Sequence, residues 1–145
     1  MKPADVVKGH KTINLHKVFL SKAYGTAGDP NVIGMPFYGE PNSVCSFSYI
    51  VIAYDSDKHN FSKQECFNVI QYMKTKFFRY MVTIRKKTQD NPSPVFQFVP
   101  LQDFTAKSDI DWSNPVAEID KQLYKKYGLS EEEIGFVEGM IKEME

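Results

Sequence analysis

Apolar residues return at helical spacing through the middle of the chain, at Cys66, Ile70, Met73, Phe77, Met81 and Ile84. At about 100° per residue they fall within a narrow arc, the mark of a helix with one buried stripe. Ser62-Lys63-Gln64-Glu65 stands just ahead of them in capping-box form. In that motif the serine oxygen accepts from the backbone N–H three residues on, and the glutamate returns the bond. The pattern predicts one long helix from Lys63 to Arg85, roughly 33 Å at about 1.5 Å per residue. Asn91-Pro92-Ser93-Pro94 ends it, because proline lacks the N–H a helix needs.

Upstream the period changes. His16–Lys22 is apolar at Val18, Phe19 and Leu20 and suits a strand. Ala23–Pro36 is rich in Gly, Pro, Asp and Asn and reads as a loop around a short extended Val32–Ile33. Ser43–Tyr54 is the clearest strand; its end, Ile50 to Ala53, is apolar on both faces and is expected to be central and covered. Asp55–Asn60 is a polar turn, and Val95–Pro100 reads as another short strand. Trp112 lies in a polar loop and is expected to cap a corner of the core.

Two short helices follow. Asn114-Pro115 is an N-cap with proline at the first helical position. Ile119, Leu123 and Tyr127 then line one face before Gly128 stops the helix. Ser130–Glu133 is a second capping box, continued by Ile134, Val137, Ile141 and Met144. The predicted fold class is α+β: a small, mostly antiparallel sheet packed by one long amphipathic helix, with two short C-terminal helices. Residues 1–145 form a single domain on this reading.

Charge changes the picture. The net charge is zero, yet the first 24 residues hold Lys2, Lys8, Lys11, Lys17 and Lys22 against Asp5 alone. From Asp103 onward eleven acidic residues face five lysines. Between them, Tyr72–Gln89 carries Lys74, Lys76, Arg79, Arg85, Lys86 and Lys87 with no acidic residue. A cationic segment in a neutral chain points to a surface that meets a polyanion. The helical phase places Arg79 and Lys86 most exposed, Lys74 and Arg85 on the flank and Lys87 at the fraying end. The same residues also fit a merely solvated face, and the acidic tail helix is a second possible occupant of it. No apolar run approaches the roughly 20 residues of a membrane span, and the N-terminus lacks a secretory apolar core, so a cytoplasmic location is expected. Cys45 and Cys66 are read as small buried hydrophobes.

Familiar catalytic patterns are missing. No P-loop follows the glycines of Ala23–Gly28, and His10, His16 and His59 lack zinc-ligand spacing with the cysteines. Asn91-Pro92-Ser93-Pro94 and Asn114-Pro115-Val116 both depart from the Asn/Asp-Pro-Pro-aromatic tetrapeptide of amino-methylating enzymes. Asp55 and Asp57-Lys58 lack the spacing of a nuclease acidic cluster. The chain is expected to have no catalytic centre and no metal site of its own.

Several segments taken together resemble a known family: Ser21–Gly25 (SKAYG), Gly39–Ile52 (GEPNSVCSFSYIVI), Tyr72–Gln89, Val95–Pro100 (VFQFVP) and Lys125–Ile141 (KKYGLSEEEIGFVEGMI). They are similar to the C-terminal target-recognition (specificity) region of adenine-specific DNA methylases and single-chain restriction–modification enzymes, the TaqI-like specificity domain. The resemblance covers the chain from Lys17 onward. It implies a C-terminal fragment or stand-alone recognition domain of a larger restriction–modification protein in bacterial defence, a type II restriction enzyme or DNA methyltransferase. The implied partners are double-stranded DNA and the methylase or nuclease domains of the parent, with no membrane. S-adenosylmethionine and Mg would belong to those parent domains, leaving no cofactor in this chain. Such a module holds the duplex while a target adenine is flipped. The candidate DNA-binding residues are Lys22, Tyr24, Asn42, Lys74, Arg79, Arg85, Lys86, Lys87 and Gln89. Lysines and arginines meet phosphates, Arg79 or Arg85 suits guanine, and Gln89 or Asn42 suits adenine. The alternatives are a protein-docking module within a restriction–modification complex and a small metal-dependent nuclease.

Overall fold

Strands β1 (Lys17–Ser21), β2 (Phe37–Gly39) and β3 (Tyr49–Ile52) are followed by helices α1 (Lys63–Lys74), α2 (Lys76–Lys86), α3 (Val116–Lys126) and α4 (Glu131–Met140). The computed structural model describes residues 13–21, 35–43, 49–52, 60–86, 100 and 102–143. The fold is α+β: the strands form an antiparallel sheet in the order β2-β1-β3, α1 lies against it, and the other helices pack on α1 and one another. Val18 faces Tyr38 on one side and Ile52 on the other. Within the described sheet the central strand is therefore β1, where the sequence suggested the end of β3. Val18, Phe19 and Leu20 are all buried, while Val51 and Ile52 are half-buried. A three-residue strand such as β2 is too short to show a period. Its Gly39 is required by packing, because a Cβ there would run into the Phe19 ring.

One end of the β1–β2 pair is tied down by a buried cation. Lys17 is only 1% exposed. Its Nζ donates to the carbonyls of Ile13 (3.1 Å), Leu15 (2.9 Å) and Glu40 (3.0 Å). An ammonium has three donors, and its burial is tolerated here because all three meet backbone acceptors.

The predicted long helix is two helices. Thr75 leaves helical conformation (φ −65°, ψ 151°) and separates α1 from α2. Both capping boxes form as expected: Ser62 Oγ accepts from Glu65 N–H and Ser130 Oγ from Glu133 N–H, each at 3.2 Å. The core joins Val18 and Leu20 to Cys66, Val69, Tyr72 and Met73 of α1, Phe77, Phe78 and Val82 of α2, Ile119 and Leu123 of α3, and Val137 of α4. Each fully buried side chain of this size contributes about 1.5–3 kcal/mol. Tyr72 is an aromatic centre, with ring centroids 5.1 Å from Phe78, 5.9 Å from Phe104 and 5.6 Å from Trp112. Trp112 does close a corner of the core, its indole N–H donating to Asp103 O at 2.9 Å. Cys66 is buried, and burial pushes its thiol up to about 12. Cys45, the Val32–Ile33 piece, most of the Asp55–Asn60 turn and nearly all of the predicted Val95–Pro100 strand lie outside the described residues. No helix among the described residues is long and apolar enough to cross a membrane.

Helix α3 ends in a Schellman motif. Gly128 takes φ +65°, and its N–H donates to Lys125 O (3.2 Å) while Leu129 N–H reaches Tyr124 O (2.9 Å). A Cβ at Gly128 would meet nothing within 4 Å, so only its backbone conformation demands glycine. Gly128→Ala is expected to lower stability by about 1 kcal/mol, read as a shifted urea midpoint with unchanged slope; an unshifted midpoint rejects that account.

Candidate functional site

The break at Thr75 creates two problems at once, since α1 ends with unsatisfied carbonyls and α2 begins with unsatisfied N–H groups. Side chains meet both. Thr75 Oγ donates to Tyr72 O at 2.6 Å and accepts from Phe78 N–H at 3.1 Å. Asp120, reaching across from α3, accepts from Lys76 N–H at 3.0 Å and Phe77 N–H at 2.9 Å. Arg79 Nη2 donates to Lys74 O at 3.0 Å and Nε to Thr75 O at 3.3 Å. A positive guanidinium at the C-terminal end of α1 and a carboxylate at the N-terminal end of α2 each match the helix dipoles.

Around this junction lies a cleft of about 470 Å³ lined by Lys74, Lys76, Arg79, Asp120, Lys121 and Glu138, among others. It is the described site that collects the basic side chains singled out by sequence. Asp120 is 2% exposed, and burial pushes its carboxyl up to about 6, against the pull of the Phe77 and Lys76 N–H groups and of Arg79. Glu138 sits at the rim. Burial works to raise it, but hydrogen bonds from Lys76 Nζ (2.5 Å) and Tyr124 Oη (2.9 Å) prevail and hold it below the usual range.

Arg79 departs from its expected place. Counting through an unbroken helix puts it outside, yet it is 0% exposed, and its Nη1 has no hydrogen-bond partner among the described residues. The break resets the helical phase, so Arg79 turns inward with Phe77, Phe78 and Val82. Lys74 is half-buried and lines the cleft. Asn42 is exposed in a turn at φ 67°, its N–H donating to Ile13 O at 2.6 Å. Asparagine tolerates that left-handed backbone, which gives the residue a structural reason of its own. Arg85 and Lys86 belong to α2, but their side chains lie outside the described residues, as do Lys22, Tyr24, Lys87 and Gln89 entirely. The acidic tail helix packs on α2, with Glu138 engaging Lys76. Part of the basic helix is thus already occupied.

Compared with family models, curated proteins and solved structures, the chain matches none of them. The site's chemistry therefore rests on its own residues. Among the described residues no group of three His, Cys, Asp or Glu is arranged to hold a metal ion. The His16 ring nitrogen is 2.5 Å from the Tyr38 hydroxyl, and His10 and His59 lie outside the described residues. What the arrangement offers is a rigid junction with lysines at its mouth. Sequence reasoning passed over Asp120, although one signal was present: it lies at helical spacing with Val116, Leu123 and Tyr124, an acid on an apolar face.

The elevated Asp120 pKa has a definite consequence for stability. Because the folded value lies above the ordinary aspartate value of 3.8, folding takes up a proton. This contribution is fully present below about pH 4 and is lost as pH rises through about 6. Asp120→Asn removes the titration while keeping one acceptor. The stability of the native chain relative to Asp120→Asn is expected to fall by about 2 kcal/mol between pH 4 and pH 7. Urea unfolding of both proteins across that range measures it; parallel curves exclude Asp120 as the titrating group.

Proposed function

We propose that this chain is a sequence-specific DNA-recognition domain of a restriction–modification adenine methyltransferase or endonuclease, non-catalytic in isolation. The observation that carries the reading is the segment Tyr72–Gln89, with six basic residues and no acidic one. The resemblance of Ser21–Gly25, Gly39–Ile52 and Lys125–Ile141 to target-recognition regions supports it. Methylase and nuclease chemistry, with S-adenosylmethionine and Mg, belongs on this reading to other domains of the parent protein.

The geometry of the junction narrows the proposed contact set. Arg79 is enclosed and Lys76 is held by Glu138, so neither is assigned to DNA. Asp120 and Glu138 also lower the positive potential at the start of α2. The proposed phosphate contacts are therefore Lys74 on the flank and Arg85, Lys86 and Lys87 at the far end of the segment. Lys22, Tyr24, Asn42 and Gln89 remain the candidates for groove contacts. Arg79 becomes a positioning residue that fixes the angle at which α2 leaves α1.

Phosphate contacts displace condensed counterions, so binding should weaken steeply with salt. The Arg85→Ala, Lys86→Ala, Lys87→Ala triple variant is expected to weaken duplex binding at least about tenfold and to flatten the salt slope by about 2–3. Fluorescence anisotropy with a labelled duplex at several salt concentrations measures both quantities. Unchanged affinity and slope reject the role given to this helix. Incubation with plasmid and magnesium tests the nuclease alternative, for which cleavage is the expected sign.

A further inference from the structure

Helix α4 turns Val137 inward, with Ile134 half-buried beside it. Its outer stripe, at spacings of three and four, is Glu132, Gly135, Phe136, Gly139 and Met140. Phe136 is 60% exposed and Met140 39%, the largest apolar side chains this helix offers to solvent. Phe136 forms the lip of a groove of about 340 Å³ between α4 and α2, whose wall includes Tyr80, Met81 and Leu129 and whose rim includes Glu132. The rings of Tyr80 and Phe136 meet edge to face at 5.9 Å.

Two glycines flank this lip without an internal reason. A Cβ on Gly135 or Gly139 would meet nothing within 4 Å, and neither has a positive φ. A mid-helix glycine costs about 0.5–1 kcal/mol relative to alanine, so the isolated fold loses stability at both positions. Close approach of another backbone is what small residues on a helix face permit.

Charge selects the occupant. Helix α4 carries Glu131, Glu132, Glu133 and Glu138 and no basic residue. Of these four, only Glu138 is in an ion pair among the described residues, with Lys76. A second copy laid α4 against α4 would double this negative charge in either orientation. A cationic helix would neutralise it.

We propose that the α2–α4 groove and the outer stripe of α4 form a docking surface for a cationic amphipathic helix of another polypeptide. Its apolar side chains pack on Phe136 and Met140 and enter the groove beside Tyr80 and Met81. Its backbone crosses over Gly135 and Gly139, and its lysines or arginines lie beside Glu131 and Glu132. This is the helix-in-groove mode of recognition, in which apolar anchors supply affinity and flanking charges set partner choice. The proposal does not depend on DNA binding.

The probe is a fluorescein-labelled synthetic helix of leucine and lysine, about five turns long, titrated with the full chain in an anisotropy assay. Two control peptides replace either every leucine by serine or every lysine by glutamate. The leucine–lysine peptide is expected to bind at least about tenfold more tightly than either control. Phe136→Ser and Gly139→Leu are each expected to weaken it by about tenfold, with circular dichroism and urea midpoints showing that both variants fold. Gly139→Leu is the cleaner variant, since its new side chain enters open space and improves helix propensity. Equal binding of the serine control, no binding of the leucine–lysine probe, or unaltered affinity in both variants overturns the proposal. So does a concentration-dependent dimer in sedimentation that Gly139→Leu abolishes, because the occupant would then be a second copy.

Discussion

One carboxylate fixes the helical layer of this protein. Asp120 on α3 holds the first two N–H groups of α2, 44 and 43 residues earlier in the chain. A helix can begin inside a protein only if its leading donors find acceptors, and an unmet buried donor costs about 1–3 kcal/mol. With Thr75 completing the cap, the break between α1 and α2 is stable only while α3 lies against it. The Schellman turn at Gly128 then sets where α4 starts, and Val137 reaches the core from there. Three helices meet at this break: Thr75 bonds to Tyr72 of α1 and Phe78 of α2, and Asp120 of α3 bonds to the adjoining Lys76 and Phe77.

The same junction decides how much of the basic segment is surface. Arg79 is used inside, against the carbonyls of Lys74 and Thr75, and Lys76 turns to Glu138. Lys17, far away on β1, is likewise an internal cation held by three carbonyls. Basic residues counted from composition therefore overstate the positive surface. The acidic C-terminal helix contributes both to neutralising α2 and to an apolar stripe of its own, so one face of α4 serves the fold and the other is open.

Signals that are local in the chain were legible in advance. Both capping boxes, the glycine stop at Gly128 and the strand at Val18–Leu20 depend on residues within a few positions of one another. The covered Trp112 corner followed from the presence of one large aromatic side chain in an otherwise polar loop. The three-residue β2 was not legible, since its place is set by pairing with β1 and by the space Gly39 leaves for Phe19. The central place of β1 within the described sheet was hidden for the same reason: strand order is a property of pairing, not of one strand's apolar content. At the candidate site, Lys74 was visible as a basic residue and Asp120 only as an acid out of place on an apolar face.

The sequence by itself determined the α+β class, the capped starts of α1 and α4, the glycine stop after α3, the segregation of charge and which residue types were available to meet a polyanion. Those follow from short-range periodicity and capping chemistry, which act within one or two turns. Only the tertiary structure decided that the long amphipathic stretch is two helices, and that Arg79 faces inward. The arc from Cys66 to Ile84 is consistent with a continuous helix because apolar spacing carries no information about a cap supplied from elsewhere. Asp120 and Thr75 together make a one-residue interruption affordable. That interruption rotates everything after it, so a residue assigned to solvent became part of the interior.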